Sequence, residues 1–106
     1  MIEVCFQTHQ GRAVALSMRG HAGLAAAGSD IVCAAASVLA DNLAAGLERL
    51  CGVRLDRQAA SGYLQLQIAL EDSTPETELL FASAALGLRS VAAEHPLRVQ
   101  VRTEGD

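Results

Sequence analysis

Residues 30–50 read DIVCAAASVLADNLAAGLERL, and this stretch decides the fold. Ser29 or Asp30 can supply an N-cap before it, and Gly52 can serve as the C′ residue after it. We therefore predict a helix from Asp30 to Cys51 with one buried face. The apolar residues with helical spacing are Val32, Ala36, Leu39, Leu43, Leu47 and Leu50.

Alternating apolar and polar residues on both sides of this helix predict β-strands. Two strands precede it as a hairpin that turns near Gln10 and Gly11, two follow it with residues 59–62 as their turn, and one lies near the end of the sequence. The expected strand ranges are 2–6, 14–18, 53–57, 64–70 and 97–102.

A second helix is predicted before the last strand. Ser73, Thr74 and Pro75 open it, and it runs to about Ala93 because Pro96 blocks further helix. The order is then ββαββαβ in a single α+β domain over residues 1–106, with a mostly antiparallel sheet and both helices on one face. The other face should carry the polar strand residues Glu3, Gln7, Gln65, Gln67, Arg98, Gln100 and Arg102.

The charge balance limits the partners. A formal net charge of −4 with only eight Lys and Arg argues against direct nucleic-acid binding, which needs clustered cations. An acidic protein is a suitable host for a basic protein substrate, because complementary charge speeds encounter.

The cysteine count and the hydropathy pattern predict a reduced, cytoplasmic protein. Cys5, Cys33 and Cys51 are an odd number at wide spacing, with no CxxC pair and no close Cys/His pair, so we expect neither a metal site nor a cofactor. Residues 1–14 lack a basic start followed by an apolar run, and charges or glycines interrupt the later apolar stretches. We therefore expect no membrane segment.

Cys33 is the best-placed nucleophile. It lies in the first turn of the predicted helix, where unpaired N–H groups and partial positive charge stabilise a thiolate. Cys51 lies at the negative end of the same helix, and Cys5 is expected to be partly exposed on a strand without an activating partner. The alternative that Cys33 is ordinary core material stays open, because free cysteine is often buried.

His21 is the expected general base for Cys33, since only a glycine-rich loop separates the two residues. Imidazole would take the thiol proton, the thiolate would attack a carbonyl, and helix N–H groups would bind the oxyanion. His9 and His95 are rival bases that the pattern places in exposed connections.

Five further residues complete the predicted site. Asp30 can cap the helix or orient His21, and Ser37 lies one turn after Cys33 on the same helix face. The flexible loop that contacts substrate is expected to turn on Gly20, Gly23 and Gly28.

The stretch GHAGLAAAGSDIVCAAAS, residues 20–37, closely resembles the signature of the ribosomal-processing cysteine protease (Prp) family. The shared elements are a Gly-His-Ala start, a glycine-rich loop, and Asp-Ile-Val-Cys-Ala-Ala followed by a serine. The resemblance implies a catalytic pair of His21 and Cys33 with Asp30 and Ser37 beside it. It also implies a homodimer that removes a short N-terminal extension from a large-subunit ribosomal protein.

Residues 24–27 depart from the family pattern, because Leu-Ala-Ala-Ala stands where aromatic and acidic residues are common. The cleavage sequence is therefore expected to differ from the usual one. Two other functions remain open: a non-catalytic module of the same fold that binds a ribosomal protein, and a thiol acyl transferase or amide hydrolase of other specificity.

Overall fold

The strands and helices follow the predicted order ββαββαβ. The computed structural model describes residues 1–20 and 30–106, apart from the side chain of Asp30. The elements are β1 (Ile2–His9), β2 (Arg12–Arg19), α1 (Asp30–Arg49), β3 (Asp56–Ala60), β4 (Tyr63–Gln67), a 3-10 turn (Leu70–Asp72), α2 (Pro75–Glu94) and β5 (Val99–Gly105). The α+β class is confirmed.

The five strands form one sheet in the order β3-β4-β2-β1-β5. Only β1 and β5 pair in parallel, and the other three pairs are antiparallel, as predicted for a mostly antiparallel sheet. Val4 lies opposite Met18 on β2 and Val101 on β5, so apolar residues of three strands share the face under the helices. The opposite face carries the predicted polar residues except Arg98, which precedes β5.

Small residues let the two helices pack closely on the sheet and on each other. Val32, Ala36 and Ala40 of α1 are at most 3% exposed. Between the helices, a Cβ added to Gly46 would lie 3.1 Å from Leu80, and one added to Gly87 would lie 2.8 Å from Leu39. Each glycine therefore receives a leucine of the antiparallel partner helix.

Thr74 begins α2 as the sequence predicts. Its side chain accepts a hydrogen bond from the Thr77 N–H, and the Thr77 hydroxyl accepts one from the Thr74 N–H. Pro75 occupies the first helical position, where its missing N–H costs nothing. The buried Thr77 thus ties the start of α2 to the core.

Several of the predicted boundaries are wrong. The fourth strand ends at Gln67 and not at residue 70, and β1 and β2 extend beyond the predicted ranges 2–6 and 14–18. The third strand is β3 at Asp56–Ala60 and not 53–57, because the hairpin turns on Ser61 and Gly62 alone and pairs Ala60 with Tyr63. β5 begins at Val99, since the His95 carbonyl accepts the N–H groups of Arg98 and Val99 in a tight turn. α1 ends at Arg49, so Leu50 does not face the core and is 79% exposed.

Cys5 is buried, and the expectation that it is partly exposed is wrong. It lies on β1 between Ser17 of β2 and Arg102 of β5, and it is 3% exposed. Side chains on the two flanking strands cover it, because β1 is an interior strand of the sheet. Burial raises the pKa of the Cys5 thiol, and the nearby Glu104 carboxylate acts in the same direction.

By length and composition α1 could also cross a membrane, although Asp41 and Gly46 interrupt its apolar residues. The segment Ile31–Arg49 has a mean hydropathy of 1.4. One such helix is a weak indication, because the core helix of a soluble protein passes the same test, and the buried residues of α1 belong to the hydrophobic core.

Gly20 ends β2 in a position that only glycine fits. Its φ is +91°, and a Cβ would collide with the carbonyl oxygen of Met1. Its N–H donates to the carbonyl of Gly62 at 2.8 Å. Gly20 therefore holds the start of β1, the end of β2 and the β3–β4 turn together.

We expect Gly20→Ala to destabilise the protein by about 1–3 kcal/mol more than Gly11→Ala, because overpacking adds to the strain of positive φ. Gly11 is the matched control, since its φ is +75° and nothing lies within 4 Å of its Cβ position. Urea unfolding measures both variants, and equal losses would contradict the collision with Met1.

A second pair of substitutions tests the packing of α2. Leu88 is fully buried and Leu86 is 70% exposed on the same helix. We expect Leu88→Ala to cost about 2–5 kcal/mol of unfolding free energy and Leu86→Ala about 0.5 kcal/mol or less. Because both changes have the same effect on helix propensity, similar losses in thermal or urea unfolding would refute the orientation of α2.

Candidate functional site

A groove of about 350 Å³ runs between α1 and the β3–β4 hairpin. It opens at the end of the sheet where β1 begins and β2 ends. Its lining residues are Ile2, Met18, Gly20, Cys33, Ser37, Asp41, Arg57, Ala59, Ala60, Gly62, Tyr63 and Leu64. Two of the predicted site residues, Cys33 and Ser37, and the predicted loop residue Gly20 therefore lie in one groove.

α1 supplies one wall of the groove through a row of residues four apart. Cys33, Ser37 and Asp41 succeed each other by about one helical turn, so they share one face. Each follows directly after a buried residue, namely Val32, Ala36 and Ala40. Since successive residues are about 100° apart around a helix, burying one row turns the next row toward the hairpin.

Cys33 is half-buried at the start of α1. It is the fourth helical residue, and the N–H groups of the three residues before it have no acceptor within the helix. One side of Cys33 packs on the core, and the other lines the groove. Its position thus combines partial access with the electropositive end of a helix.

The other two cysteines lack these features. Cys5 is buried on the opposite face of the sheet, where burial raises its pKa. Cys51 lies two residues beyond the end of α1, and that end is about 24 Å along the helix axis from Cys33. Neither lines the groove.

An ion pair connects the two walls of the groove. Nη2 of Arg57, on edge strand β3, lies 3.0 Å from Oδ1 of Asp41 on α1. The sequence analysis did not single out either residue. Asp41 could have been found from its spacing of eight after Cys33, whereas Arg57 could not, because it reaches the helix face only through the pairing that places it opposite Leu66.

The floor of the groove is apolar. Ile2, Met18 and Leu64 form it, and the small side chain of Ala59 keeps its hairpin wall low. Such a surface can hold apolar side chains of an extended peptide. Ala60 and Tyr63 border the groove next to the hairpin turn, but the register partners Arg19 and Glu3 place the Tyr63 ring, with the Arg19 guanidinium 4.9 Å from its centre, on the opposite face of the sheet.

Part of the predicted site lies outside the described residues. His21, Gly23 and Gly28 belong to residues 21–29, and of Asp30 only the backbone is described, as the first residue of α1. Gly20, which lines the groove, is bonded directly to His21 in the sequence. The pairing of His21 with Cys33 therefore stays a prediction.

The rival histidines do not line the groove. His9 ends β1, about 23 Å along the strand from Ile2. Its Nδ1 lies 3.1 Å from the Asp106 carboxylate, and the Gln10 N–H together with His9 lowers the pKa of Asp106. His95 caps the C-terminus of α2.

Within residues 1–20 and 30–106 no three His, Cys, Asp or Glu residues are grouped to hold a metal ion.

Solved structures of bacterial proteins share this fold over its whole length. SMU.848 from Streptococcus mutans has 32% identity and a TM-score of 0.85, with 100% of this chain and 96% of that chain covered. Two S. aureus structures of the ribosomal processing protease Prp, with a covalently linked product peptide and with a substrate peptide, have 22% and 21% identity and TM-scores of 0.87 and 0.85. In both, 98% of this chain and 100% of the other are covered.

A search of curated proteins gave no significant match. The sequence profile described as Cysteine protease Prp, however, matches residues 1–100 and so spans every element from β1 to the start of β5. The chain belongs to the Prp family of cysteine proteases.

Proposed function

We propose that this protein is a cysteine endopeptidase that removes an N-terminal extension from a large-subunit ribosomal protein, with Cys33 as nucleophile and His21 as general base. The observation that carries the proposal is the position of Cys33, half-buried at the start of α1 and lining a groove of about 350 Å³. Membership of the Prp family supports the reaction class.

The reaction would proceed through a thioester. His21 takes the proton from Sγ of Cys33, and the thiolate attacks the carbonyl carbon of the scissile peptide bond. The tetrahedral intermediate collapses as the C–N bond breaks, and the imidazolium of His21 gives its proton to the leaving amine. Water, deprotonated by His21, then hydrolyses the thioester and releases the new carboxylate together with free Cys33.

The start of α1 would stabilise both negative charges that form. The thiolate of Cys33 lies at the positive end of the helix dipole. The N–H groups of the first helical turn, at Asp30, Ile31 and Val32, are donors without intrahelical acceptors and can bind the oxyanion. Ser37, one turn after Cys33 on the groove, is placed to hydrogen-bond the peptide backbone.

The glycine at the end of β2 supports the role given to His21. Gly20 lines the groove and is held by Gly62, and the Cα of His21 can lie only about 3.8 Å from that of Gly20. In this proposal Asp30 orients the imidazole, and Gly23 and Gly28 let the segment close over substrate. Residues 24–27, which lack the aromatic residues common in the family, would shift the preferred cleavage sequence.

A peptide substrate agrees with both the groove and the related structures. The S. aureus Prp complexes contain a substrate peptide and a covalently linked product peptide. The apolar floor suits apolar side chains close to the cleaved bond, and the net charge of −4 favours encounter with a basic ribosomal protein. The reaction would need no cofactor, because Cys33 and His21 supply all of its reactive groups. The protein would act in the cytoplasm, as a homodimer.

A non-catalytic peptide-binding module is the second candidate. One observation favours it: Cys33 packs partly against the hydrophobic core, as a structural cysteine would. Such a module would bind the same peptide without cleaving it, and its Cys33 would be unreactive. A thiol enzyme of another specificity would have a reactive Cys33 but release different products.

Thiol labelling separates an activated Cys33 from a structural one. At pH 7 we expect iodoacetamide to label Cys33 at least about tenfold faster than Cys51, which is also half-buried but lies beyond the C-terminal end of α1, whereas the buried Cys5, with its raised pKa, should label slowest. Peptide mass spectrometry follows each cysteine separately. His21→Ala should abolish the advantage of Cys33, and His9→Ala is the matched control that should preserve it. Labelling of Cys33 no faster than Cys51 would contradict the proposal.

Cleavage of the ribosomal-protein precursor from the same organism tests the reaction itself. We expect Cys33→Ala and His21→Ala each to lower kcat/KM by at least about a thousandfold, because each removes a group that takes part in bond making or proton transfer. Cys51→Ala should cleave at the normal rate. The Cys33→Ala protein should still bind the precursor peptide, and an intact precursor after incubation with the native protein would refute the proposal.

A further inference from the structure

The two walls of the groove are not held equally firmly. α1 is fixed by its buried row of Val32, Ala36 and Ala40. β3, which forms the other wall, is an edge strand that pairs only with β4, and all five of its residues are exposed. Because an exposed edge strand has few buried contacts to keep it in place, the width of the groove depends on what ties β3 to α1.

Arg57 supplies that tie. On β3 the side chains of Arg57 and Ala59 point toward the helices, since these residues pair with the inward-facing Leu66 and Leu64 of β4. Ala59 carries only a methyl group, whereas Nη2 of Arg57 donates to Oδ1 of Asp41 at 3.0 Å. Among the described side chains, this is the one hydrogen bond or ion pair between α1 and the β3–β4 hairpin.

A second tie holds the hairpin at its turn. The carbonyl oxygen of Gly62 accepts a hydrogen bond from the Gly20 N–H at 2.8 Å, and both glycines line the groove. Asp41 follows Cys33 by eight helical residues, about 12 Å along the helix axis. The hairpin is therefore tied to β2 through its turn and to α1 through Arg57.

We propose that Asp41 and Arg57 are positioning residues whose ion pair is a clasp, holding the β3 wall at the distance from α1 at which the groove binds a peptide. The inference rests on the proposed peptidase function and adds two residues that act on binding and not on bond cleavage. A wall that is already in place does not have to be ordered when the peptide binds, so the clasp lowers the free-energy cost of binding.

The effect of the clasp should be small and confined to binding. Asp41 and Arg57 are 61% and 48% exposed, and an exposed ion pair contributes little free energy. We therefore expect its loss to weaken peptide binding about two- to fivefold. Because the pair lies about 12 Å along the helix from Cys33, kcat should not change.

The test is a double-mutant cycle with Asp41→Asn, Arg57→Gln, the double variant, and the charge swap that combines Asp41→Arg with Arg57→Asp. Fluorescence anisotropy measures the Kd of the precursor's N-terminal peptide in a Cys33→Ala background, and steady-state kinetics with Cys33 present measures kcat and KM. We expect each single variant and the double variant to raise Kd and KM about two- to fivefold at unchanged kcat. The charge swap should restore both constants.

The swap separates a clasp from a direct contact with the substrate. If Asp41 or Arg57 held a charged group of the peptide, exchanging the two charges would weaken binding further, and that result would overturn the clasp. Glu48→Gln and Arg54→Gln are the matched controls, because both residues are exposed, on α1 and next to β3, but do not line the groove. An unchanged Kd in the clasp variants, or an equal shift in the controls, would also overturn it.

The two proposals can fail separately. If the native protein binds the peptide but does not cleave it, the peptidase proposal fails by itself. The Kd values then still decide on the clasp, because restoration by the swap supports it and equal Kd values in all variants overturn it. A native protein that does not bind the peptide overturns both proposals.

Discussion

The burial of one row of small side chains on α1 is the constraint on which the site depends. Val32, Ala36 and Ala40 are the inward row, and two alanines in it let the helix approach the sheet closely. Once that row is buried, the row one residue later can only face the β3–β4 hairpin. The hydrophobic effect thereby orients Cys33 toward the groove.

The second constraint on the site is the close backbone approach at Gly20, where β2 ends. Because Gly20 has no side chain, the end of β2 lies against the carbonyl of Met1 and the turn at Gly62. This contact brings the residue before His21 into the groove that Cys33 lines. The catalytic proposal therefore combines a helix start set by core packing with a strand end set by a close backbone approach.

Sequence reasoning identified the element order, α1, the capping of α2 and the inward faces of the strands, because hydrophobic period and turn chemistry are local signals. It misplaced β3 by three residues, since the two-residue turn at Ser61 and Gly62, and not the apolar Val53 and Leu55, sets the pairing. It also expected Cys5 to be accessible, because the alternation of a strand does not show which neighbouring strands cover it.

The sequence by itself determined the type of each element, the family signature, and the spacing that puts Cys33 and Ser37 on one helix face, because these depend on residues close together in the chain. Only the tertiary structure decided that Asp41 meets Arg57 and that Gly20 borders the same groove as Cys33. Those neighbours come from different elements, and their contact depends on strand register and helix rotation, which are set by the packing of the whole core.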